Sequence, residues 1–266
     1  MSTFLAILTG ITLFFIAILN QGGFEVFINV PALMIVLGGT TAAVFISFPL
    51  PSVMRVSGVL LQIFKKDIQN PSWVIALMVR LSFKARQQSL LSLEQDITAI
   101  NNRFIKLGLE LVIDGHPAQL IREVLETELN FVQSRHRRGE HIFRTAGRFA
   151  PAFGLIGTLI GLVQMLQSLG SSTTGAASAL GQGMAVALIT TFYGAIMANL
   201  FFLPVSEKLK SRTNDEALRT QIIIEGVLML QAGMNPRIIE RKLNSYLPPE
   251  QRASYYEEIL KRQRRS

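Results

Sequence analysis

Cysteine is absent from the 266 residues of this chain, and charged residues are scarce. Without cysteine the chain has neither disulfides nor thiolate metal sites. Only 17% of its residues are charged and 49% are hydrophobic, whereas about a quarter of the residues of a typical soluble globular protein are charged. This deficit of charge points to a protein that folds in lipid.

The charges are also absent from long parts of the chain. Three stretches contain no Asp, Glu, Lys or Arg: residues 1–24, 26–54 and 149–206. The apolar cores 4–19 and 30–48 each approach the roughly 20 helical residues that cross a bilayer. The third stretch is long enough for two crossings, and its polar segment Gly170–Gly175 favours a turn. It therefore predicts a hairpin of two helices, at about 149–169 and 182–205.

The basic residues predict the topology. All 26 Lys and Arg residues lie within 55–148 or 208–265, so the positive-inside rule places both charged regions and both termini in the cytoplasm. The first apolar stretch lacks a basic n-region and a cleavage site, which favours a retained helix over a signal peptide. Acidic residues share the two charged regions, so the net charge of +8 does not indicate a nucleic-acid-binding surface.

The predicted fold is an all-α membrane protein with four transmembrane helices. Its regions are 1–50 (transmembrane helices 1 and 2), 51–148 (a cytoplasmic helical region), 149–205 (transmembrane helices 3 and 4) and 206–266 (a cytoplasmic helical tail). Within the second region, apolar residues recur at helical spacing in two series, which predicts stacked amphipathic helices. The first series is Leu77, Leu81, Leu90, Leu93, Ile97, Ile100 and Phe104, and the second is Leu120, Val124, Leu125, Leu129 and Val132.

Turn-forming and capping residues mark the ends of these helices. The loop Gly115-His116-Pro117 separates the two series, and the second series can continue unbroken into the third membrane helix. In the tail, a helix at about 206–232 is followed by Asn235 and Pro236, which are typical of an N-cap and a first helical position.

Small residues mark the faces on which the third and fourth membrane helices pack. Gly154, Gly157, Gly161 and Gly194 recur at spacings that allow helices to approach closely. Pro151 and Pro204 lie near the cytoplasmic ends of the two helices. Each proline either kinks its helix, as a hinge that transmits motion, or only marks where the helix starts or stops.

Three hydroxyl groups lie at similar predicted depth on this helix pair. Thr158, Thr190 and Thr191 offer the oxygen ligands that a hard monovalent cation favours, although a membrane threonine often bonds only to its own helix. No Asp, Glu, His, Lys or Arg occurs in any predicted span, and cation conduction usually requires such a residue. A conducting pathway here therefore predicts a second chain that supplies a carboxylate.

Catalysis is not expected. His116, His136 and His141 are scattered, the phosphate-binding pattern G-x-x-x-x-G-K does not occur, and no catalytic grouping of Ser, His and Asp can be argued. The sequence predicts neither an enzyme nor a cofactor, and no tightly bound metal.

Three segments resemble the A-subunit of flagellar motor stators, the MotA and PomA type within the MotA/TolQ/ExbB family. They are Arg148–Leu162, Met184–Gly194 and Ile224–Pro236. The resemblance implies a ring of five chains around two single-span B-subunits of the MotB or PomB type, whose aspartate binds the ion. It also implies that ion flow turns the ring and that the cytoplasmic region pushes on the rotor protein FliG.

The resemblance further implies roles for individual residues. Arg86 and Glu94 match the charged positions that contact the rotor, with Lys84 beside them, and Pro151 and Pro204 match prolines linked to torque. The threonines resemble those of sodium-driven members, which favours Na+ over H+ as the transported ion. Two other functions stay open: a TolQ- or ExbB-like energiser of outer-membrane transport or envelope maintenance, and a membrane scaffold that conducts nothing.

Overall fold

The computed structural model describes residues 27–55, 71–169 and 176–252, together with Thr9, Thr12, Ile16, Gly58 and Tyr255. This part of the chain contains helices and turns but no strand, which confirms the predicted all-α class. The first predicted membrane helix lies outside the described residues apart from three isolated positions, and the predicted turn at Gly170–Gly175 lies outside them entirely.

The helices are as follows, with π-helical and 3-10 segments between some of them. They are α1 (Val30–Leu33), a π-helix (Met34–Gly38), α2 (Gly39–Ser47), α3 (Pro71–Gln88), a 3-10 helix (Leu90–Leu93), α4 (Glu94–Ala99), α5 (Arg103–Ile113), α6 (Ala118–Leu169), α7 (Ala176–Ile196), a second π-helix (Met197–Phe202), α8 (Leu203–Gln231), α9 (Pro236–Asn244) and a last 3-10 helix (Pro249–Gln251).

Three helices of the described chain are long and apolar enough to cross a membrane. They are Val30–Ser47, Ala118–Ser168 and Leu180–Gln231, and the last two contain 51 and 52 residues. A helix of that length extends about 75 Å, far more than the roughly 30 Å of bilayer hydrocarbon. The bilayer can therefore hold only part of each long helix.

The chain divides into two compact units. Unit 1 consists of residues 1–65 and 136–211, and unit 2 consists of residues 66–135 and 212–266. In unit 1, residues that recur every four positions along α1, the first π-helix and α2 are buried, namely Ala32, Val36, Thr40 and Val44. This face packs inward and leaves Met34 and Ile46 exposed, as expected for a helix with one side towards lipid.

Unit 2 is built around one apolar core. Its fully buried side chains come from five helices and include Ile75, Met78, Leu81, Ile105, Leu109, Ile121, Leu125, Ile222, Ile224, Ile239 and Leu243. The predicted loop at Gly115 is confirmed, and a positive φ of 75° there is a conformation that glycine adopts without strain. The predicted continuation of the second helical series into the third membrane helix is also confirmed, since α6 is unbroken from Ala118 to Leu169.

The first apolar series, from Leu77 to Phe104, is distributed over several helices. The chain forms the short 3-10 helix and α4, and then breaks before α5. Ser89 turns the chain after α3 with a φ of 92°, and the Asn102 side chain accepts hydrogen bonds from the amides of Phe104 and Ile105 at 3.0 and 3.1 Å. An N-cap at Asn102 starts a new helix, although the apolar spacing continues through the break.

The tail follows the prediction closely. Helix α8 ends at Gln231, and Gly233, with a φ of 63°, makes the turn. The Asn235 side chain then accepts a hydrogen bond from the Arg237 amide at 3.0 Å, with Pro236 at the first position of α9. The cap predicted from Asn235-Pro236 is confirmed.

Candidate functional site

The candidate site lies in unit 1, where α6 and α7 approach each other unusually closely. A methyl carbon added at Gly154 would lie 2.9 Å from the Thr190 carbonyl oxygen, and one added at Gly194 would lie 2.6 Å from the Ala150 carbonyl oxygen. At Gly161 the corresponding distance to the Gly183 carbonyl oxygen is 2.5 Å. The two backbones are therefore in direct contact along this line, which only small residues permit.

Two of the predicted threonines meet across this contact. The Thr158 and Thr191 hydroxyl oxygens lie 2.5 Å apart. Both also lie near the Ala187 carbonyl oxygen, at 3.2 Å for Thr158 and 3.4 Å for Thr191. Thr158 is half-buried and Thr191 is exposed, so the three oxygens form a small polar cluster that opens to the outside of the unit.

These oxygens can act together as ligands. Thr158 can donate its hydrogen to the Gly154 carbonyl oxygen of its own helix, at 3.1 Å, and Thr191 can donate to the Thr158 hydroxyl oxygen. Each hydroxyl then has lone pairs left to accept, and neutral oxygens of this kind replace part of the hydration shell of a monovalent cation. Among the described residues, no group of three or more His, Asp or Glu side chains could hold a metal ion.

Thr190 lies on a different face of α7. Its side chain is fully buried and packs against Gly157, where an added methyl carbon would lie 2.5 Å from the Thr190 Cβ. Its hydroxyl donates to the carbonyl oxygens of Val186 or Ala187 in its own helix, at 2.9 and 3.0 Å. The structure thus joins Thr158 with Thr191 and leaves Thr190 in the helix contact.

The two predicted hinge prolines differ in their surroundings. Pro151 lies inside α6, which continues through it, and its Cα would be 3.1 Å from a methyl carbon at Gly194. Pro204 is the second residue of α8 and follows the π-helix Met197–Phe202. Because proline donates no backbone hydrogen bond, the wider π-helix directly before Pro204 accommodates the missing hydrogen bond. Such π-helical turns are common at functional sites.

Tyr193 is a site neighbour that the sequence analysis did not select. Its hydroxyl donates a hydrogen bond to the Phe27 carbonyl oxygen and accepts one from the Asn29 amide at 3.2 Å. Asn29 in turn caps α1, accepting from the Ala32 amide at 2.9 Å. Tyr193 therefore ties the start of α1 to α7 two residues from Thr191. The sequence Asn29-Val-Pro31, an N-cap signal, is the feature that could have indicated it.

In unit 2, the three predicted rotor-contact residues surround the turn at Ser89. Lys84 forms an ion pair with Asp96, with 2.6 Å between the Nζ and Oδ2 atoms. Arg86, in the last turn of α3, and Glu94, the first residue of α4, are both exposed. Lys84 is therefore held by a neighbour in its own unit, whereas Arg86 and Glu94 present their charges outwards.

Glu225 is a second residue that the sequence analysis did not select. It is buried in α8 and is contacted by Arg122 of α6 at 3.1 Å and by Lys242 of α9 at 3.2 Å. Burial alone raises the pKa of the Glu225 carboxyl, but hydrogen bonds from Lys242 and Arg122 outweigh it and lower the pKa below its ordinary value of 4.5. A lone acid in the apolar run Ile222–Leu230 is a recognisable signal for such a pair.

Comparisons with known proteins identify relatives along most of the chain. Residues 96–222 match the model of the MotA/TolQ/ExbB proton channel family. The chain is 43% identical to Motility protein A of Borreliella burgdorferi, covering 87% of each protein. It is 36% identical to the chemotaxis protein PomA of Vibrio alginolyticus, covering 95% of this chain and 97% of that protein.

A solved structure is also similar. The flagellar MotAB stator complex from Bacillus subtilis contains a chain that matches with a TM-score of 0.82 and 32% identity, covering 92% of this chain and 96% of that one.

Proposed function

The chain belongs to the MotA/TolQ/ExbB proton channel family, and from this premise we propose that it is the ion-conducting A-subunit of a flagellar motor stator. The family consists of channel and motor components, which confirms the prediction that the chain is not an enzyme. The similarity to motility proteins extends over nearly the whole chain and supports the stator over an energiser of outer-membrane transport.

The observation that carries this proposal is the oxygen cluster of Thr158, Thr191 and Ala187. It provides neutral ligands on the open side of two closely packed helices, and the chain has no Asp, Glu, His, Lys or Arg between Phe149 and Ser206. A neutral cluster can lower the cost of shedding water from a cation, but an intramembrane carboxylate is the usual docking point. A B-subunit of the MotB or PomB type supplies that carboxylate in this proposal.

The transported ion is Na+ in this proposal, with H+ as the alternative. A hydroxyl pair backed by a carbonyl oxygen suits a cation that needs several ligands at once, whereas a proton needs only a chain of donors and acceptors. The family is described as a proton channel family, which does not by itself favour Na+. The preference for Na+ therefore rests on the oxygens of Thr158 and Thr191. Thr190, held within the helix contact, positions Thr191 rather than binding the ion.

Torque is assigned to the other predicted residues. Pro151 and Pro204 would act as the flexible points of α6 and α8, and Arg86 and Glu94 would contact the rotor protein FliG, with Lys84 in a supporting role because Asp96 holds it. Gly154, Gly157, Gly161 and Gly194 would keep α6 and α7 packed during movement.

The remaining features of the proposal concern assembly and topology. Five copies would surround two B-subunits in the bacterial inner membrane, with both termini in the cytoplasm. The proposed regions are 1–50 and 149–205 in the membrane, with 51–148 and 206–266 in the cytoplasm. The positive-inside pattern of the sequence supports this orientation.

Hydroxyl deletion tests the ion pathway directly. The chain and its B-subunit are expressed in a flagellated host that lacks stators of its own and does not swim without them, and swimming speed is measured against external sodium. Loss of one hydroxyl ligand, at about 1 kcal/mol, predicts that Thr158→Ala and Thr191→Ala need about fivefold more sodium for half-maximal speed. The variants Thr158→Ser and Thr191→Ser keep the hydroxyl and serve as matched controls.

Two other results would count against parts of the proposal. Swimming that ignores external sodium and stops with a protonophore would assign the pathway to protons. An assembled complex that restores no motility and passes no ion would remove the stator function itself.

A further inference from the structure

The charged end of unit 1 has more cations than its own acids can neutralise. Its described basic residues are Arg55, Arg137, Arg138, Arg144, Arg148, Lys208 and Lys210, and its described acidic residues are Glu140 and Glu207. Both acids pair with Arg144, whose Nη2 lies 2.8 Å from Glu140 Oε1 and 3.3 Å from Glu207 Oε1. A single arginine therefore takes up all the described negative charge of this unit.

Four of the remaining cations lie close together along the axes of α6 and α8. Arg144 contacts Glu207, and a methyl carbon at Gly147 would touch Leu203, so Arg148, Lys208 and Lys210 lie where α6 and α8 run side by side. Val53 and Phe48 pack against the cluster of Ile142 and Ala146 on α6, which brings Arg55 to the same level. We name Arg55, Arg148, Lys208 and Lys210 the basic belt.

The basic belt has no counter-charge within the described part of the chain. None of its four side chains forms an ion pair with a described residue, and all but the half-buried Lys208 are exposed. A second copy of unit 1 would bring the same excess of positive charge rather than an acid. The described residues thus leave these charges for another kind of molecule to neutralise.

The position of the belt identifies the chemistry of that molecule. Arg148 directly precedes the uncharged segment that begins at Phe149, and Lys208 follows the same uncharged stretch after Glu207. The segment of α6 from His141 to Arg148 covers the belt's height, which is about 10 Å of helix. That height matches a headgroup layer together with the distance over which an anionic surface attracts charge.

We propose that the basic belt binds the headgroups of acidic phospholipids, and that these lipids stabilise the assembled protein. The binding is electrostatic: phosphate oxygens meet Arg148, Lys208, Lys210 and Arg55, while the acyl chains lie along exposed apolar side chains such as Leu155 and Leu159. A zwitterionic phospholipid carries no net charge and gains little from the belt.

Lipid composition provides the test. The full chain with its B-subunit is placed in nanodiscs of phosphatidylcholine alone or with about a third phosphatidylglycerol, and anionic lipid enrichment around the protein and the unfolding temperature are measured. Each basic residue near an anionic surface changes affinity about fivefold, so Arg148→Gln with Lys208→Gln and Lys210→Gln should lower phosphatidylglycerol affinity roughly a hundredfold and remove the stabilisation.

A matched control removes the same charge elsewhere. Arg80→Gln with Arg237→Gln and Arg241→Gln changes three exposed cations of unit 2 and should leave the preference for phosphatidylglycerol intact. Native enrichment should also disappear in 1 M salt, where the Debye length is about 3 Å, and soluble glycerol phosphate at millimolar concentration should not compete.

A second variant keeps the proposal falsifiable if the triple variant does not assemble. Glu207→Gln removes an acid and should strengthen phosphatidylglycerol binding about fivefold, while Lys210→Gln weakens it by a similar factor. A belt variant that keeps the native lipid preference, a control variant that loses it, or competition by glycerol phosphate would overturn the proposal.

Discussion

Gly194 shows how a single hydrogen in place of a methyl group determines how closely α6 and α7 approach each other. Its Cα faces the Ala150 carbonyl oxygen and the Pro151 Cα across the contact between α6 and α7, three residues from Thr191. The four-residue spacing of small residues was enough to predict which glycines face a helix. The spacing could not separate Thr190 from Thr191, because adjacent positions differ by about 100° around a helix and the rotation of α7 depends on its neighbours.

The variant Gly194→Ala tests this contact. A methyl carbon 2.6 Å from the Ala150 carbonyl oxygen forces the helices apart, and overpacking of this kind costs about 1–3 kcal/mol. We expect a lower unfolding temperature in detergent and a weaker effect of Thr158→Ala in the same background, because the hydroxyl pair is already separated.

The control for Gly194 is Gly181→Ala in the same helix. An added methyl carbon at Gly181 has no heavy atom within 4 Å, so this change should leave stability unaltered or slightly raised. Equal unfolding temperatures for the two variants would contradict the packing role of Gly194.

At the scale of elements, helix ends were easier to predict than helix continuity. Asn235-Pro236 and Gly115 have local chemistry that determines a cap or a turn, and both are found where expected. The interval Leu90–Phe104 kept an apolar spacing of three to four residues across the break at Asn102, so periodicity alone predicted one series. Glu225 was missed for a related reason: its partners Arg122 and Lys242 are distant in sequence, and no local pattern brings them together.

Glu225 makes the packing of α6, α8 and α9 sensitive to acid. Its pKa is lowered in the folded protein, so its stabilisation is complete above pH 4.5, the ordinary value, and is lost as pH falls through the lower folded value. We expect Glu225→Gln to cost about 1–2 kcal/mol at neutral pH, with the difference from the native protein disappearing in strong acid. The fluorescence of Trp73, the only tryptophan of the chain, reports the unfolding of unit 2.

Glu126→Gln is the matched control for Glu225. Glu126 also pairs with Arg122, but its side chain is 45% exposed against 11% for Glu225, so solvent screens the pair and the expected cost is only about 0.3–0.5 kcal/mol. If the two variants lost the same stability at every pH, the buried pair would have no special role.

At the scale of the whole molecule, the sequence predicted the need for a partner's carboxylate better than it predicted which charged residues are available to contact a partner. The absence of Asp, Glu, His, Lys and Arg between Phe149 and Ser206 points to a partner carboxylate without any structure. Which charged residues of unit 2 are available to a partner depends on ion pairs within the unit. Lys84 has the same type of charge as Arg86, but Asp96 lies 2.6 Å from its Nζ atom.

Charge reversal at the Ser89 turn separates torque from ion flow. Arg86→Glu and Glu94→Arg should each reduce swimming speed severely, because each replaces an attraction to the rotor by a repulsion, while sodium flux through the assembled complex stays at the native level. Lys84→Gln should have a smaller effect on speed, since Asp96 already neutralises that charge, and it should lower the stability of unit 2 slightly.

Arg80→Glu, an exposed change on the same helix α3, is the matched control and should swim normally. A combined Arg86→Glu and Glu94→Arg protein that swims no worse than the Arg80→Glu control would show that this turn does not contact the rotor, whereas loss of flux in the single variants would mean that they damage the channel rather than the contact.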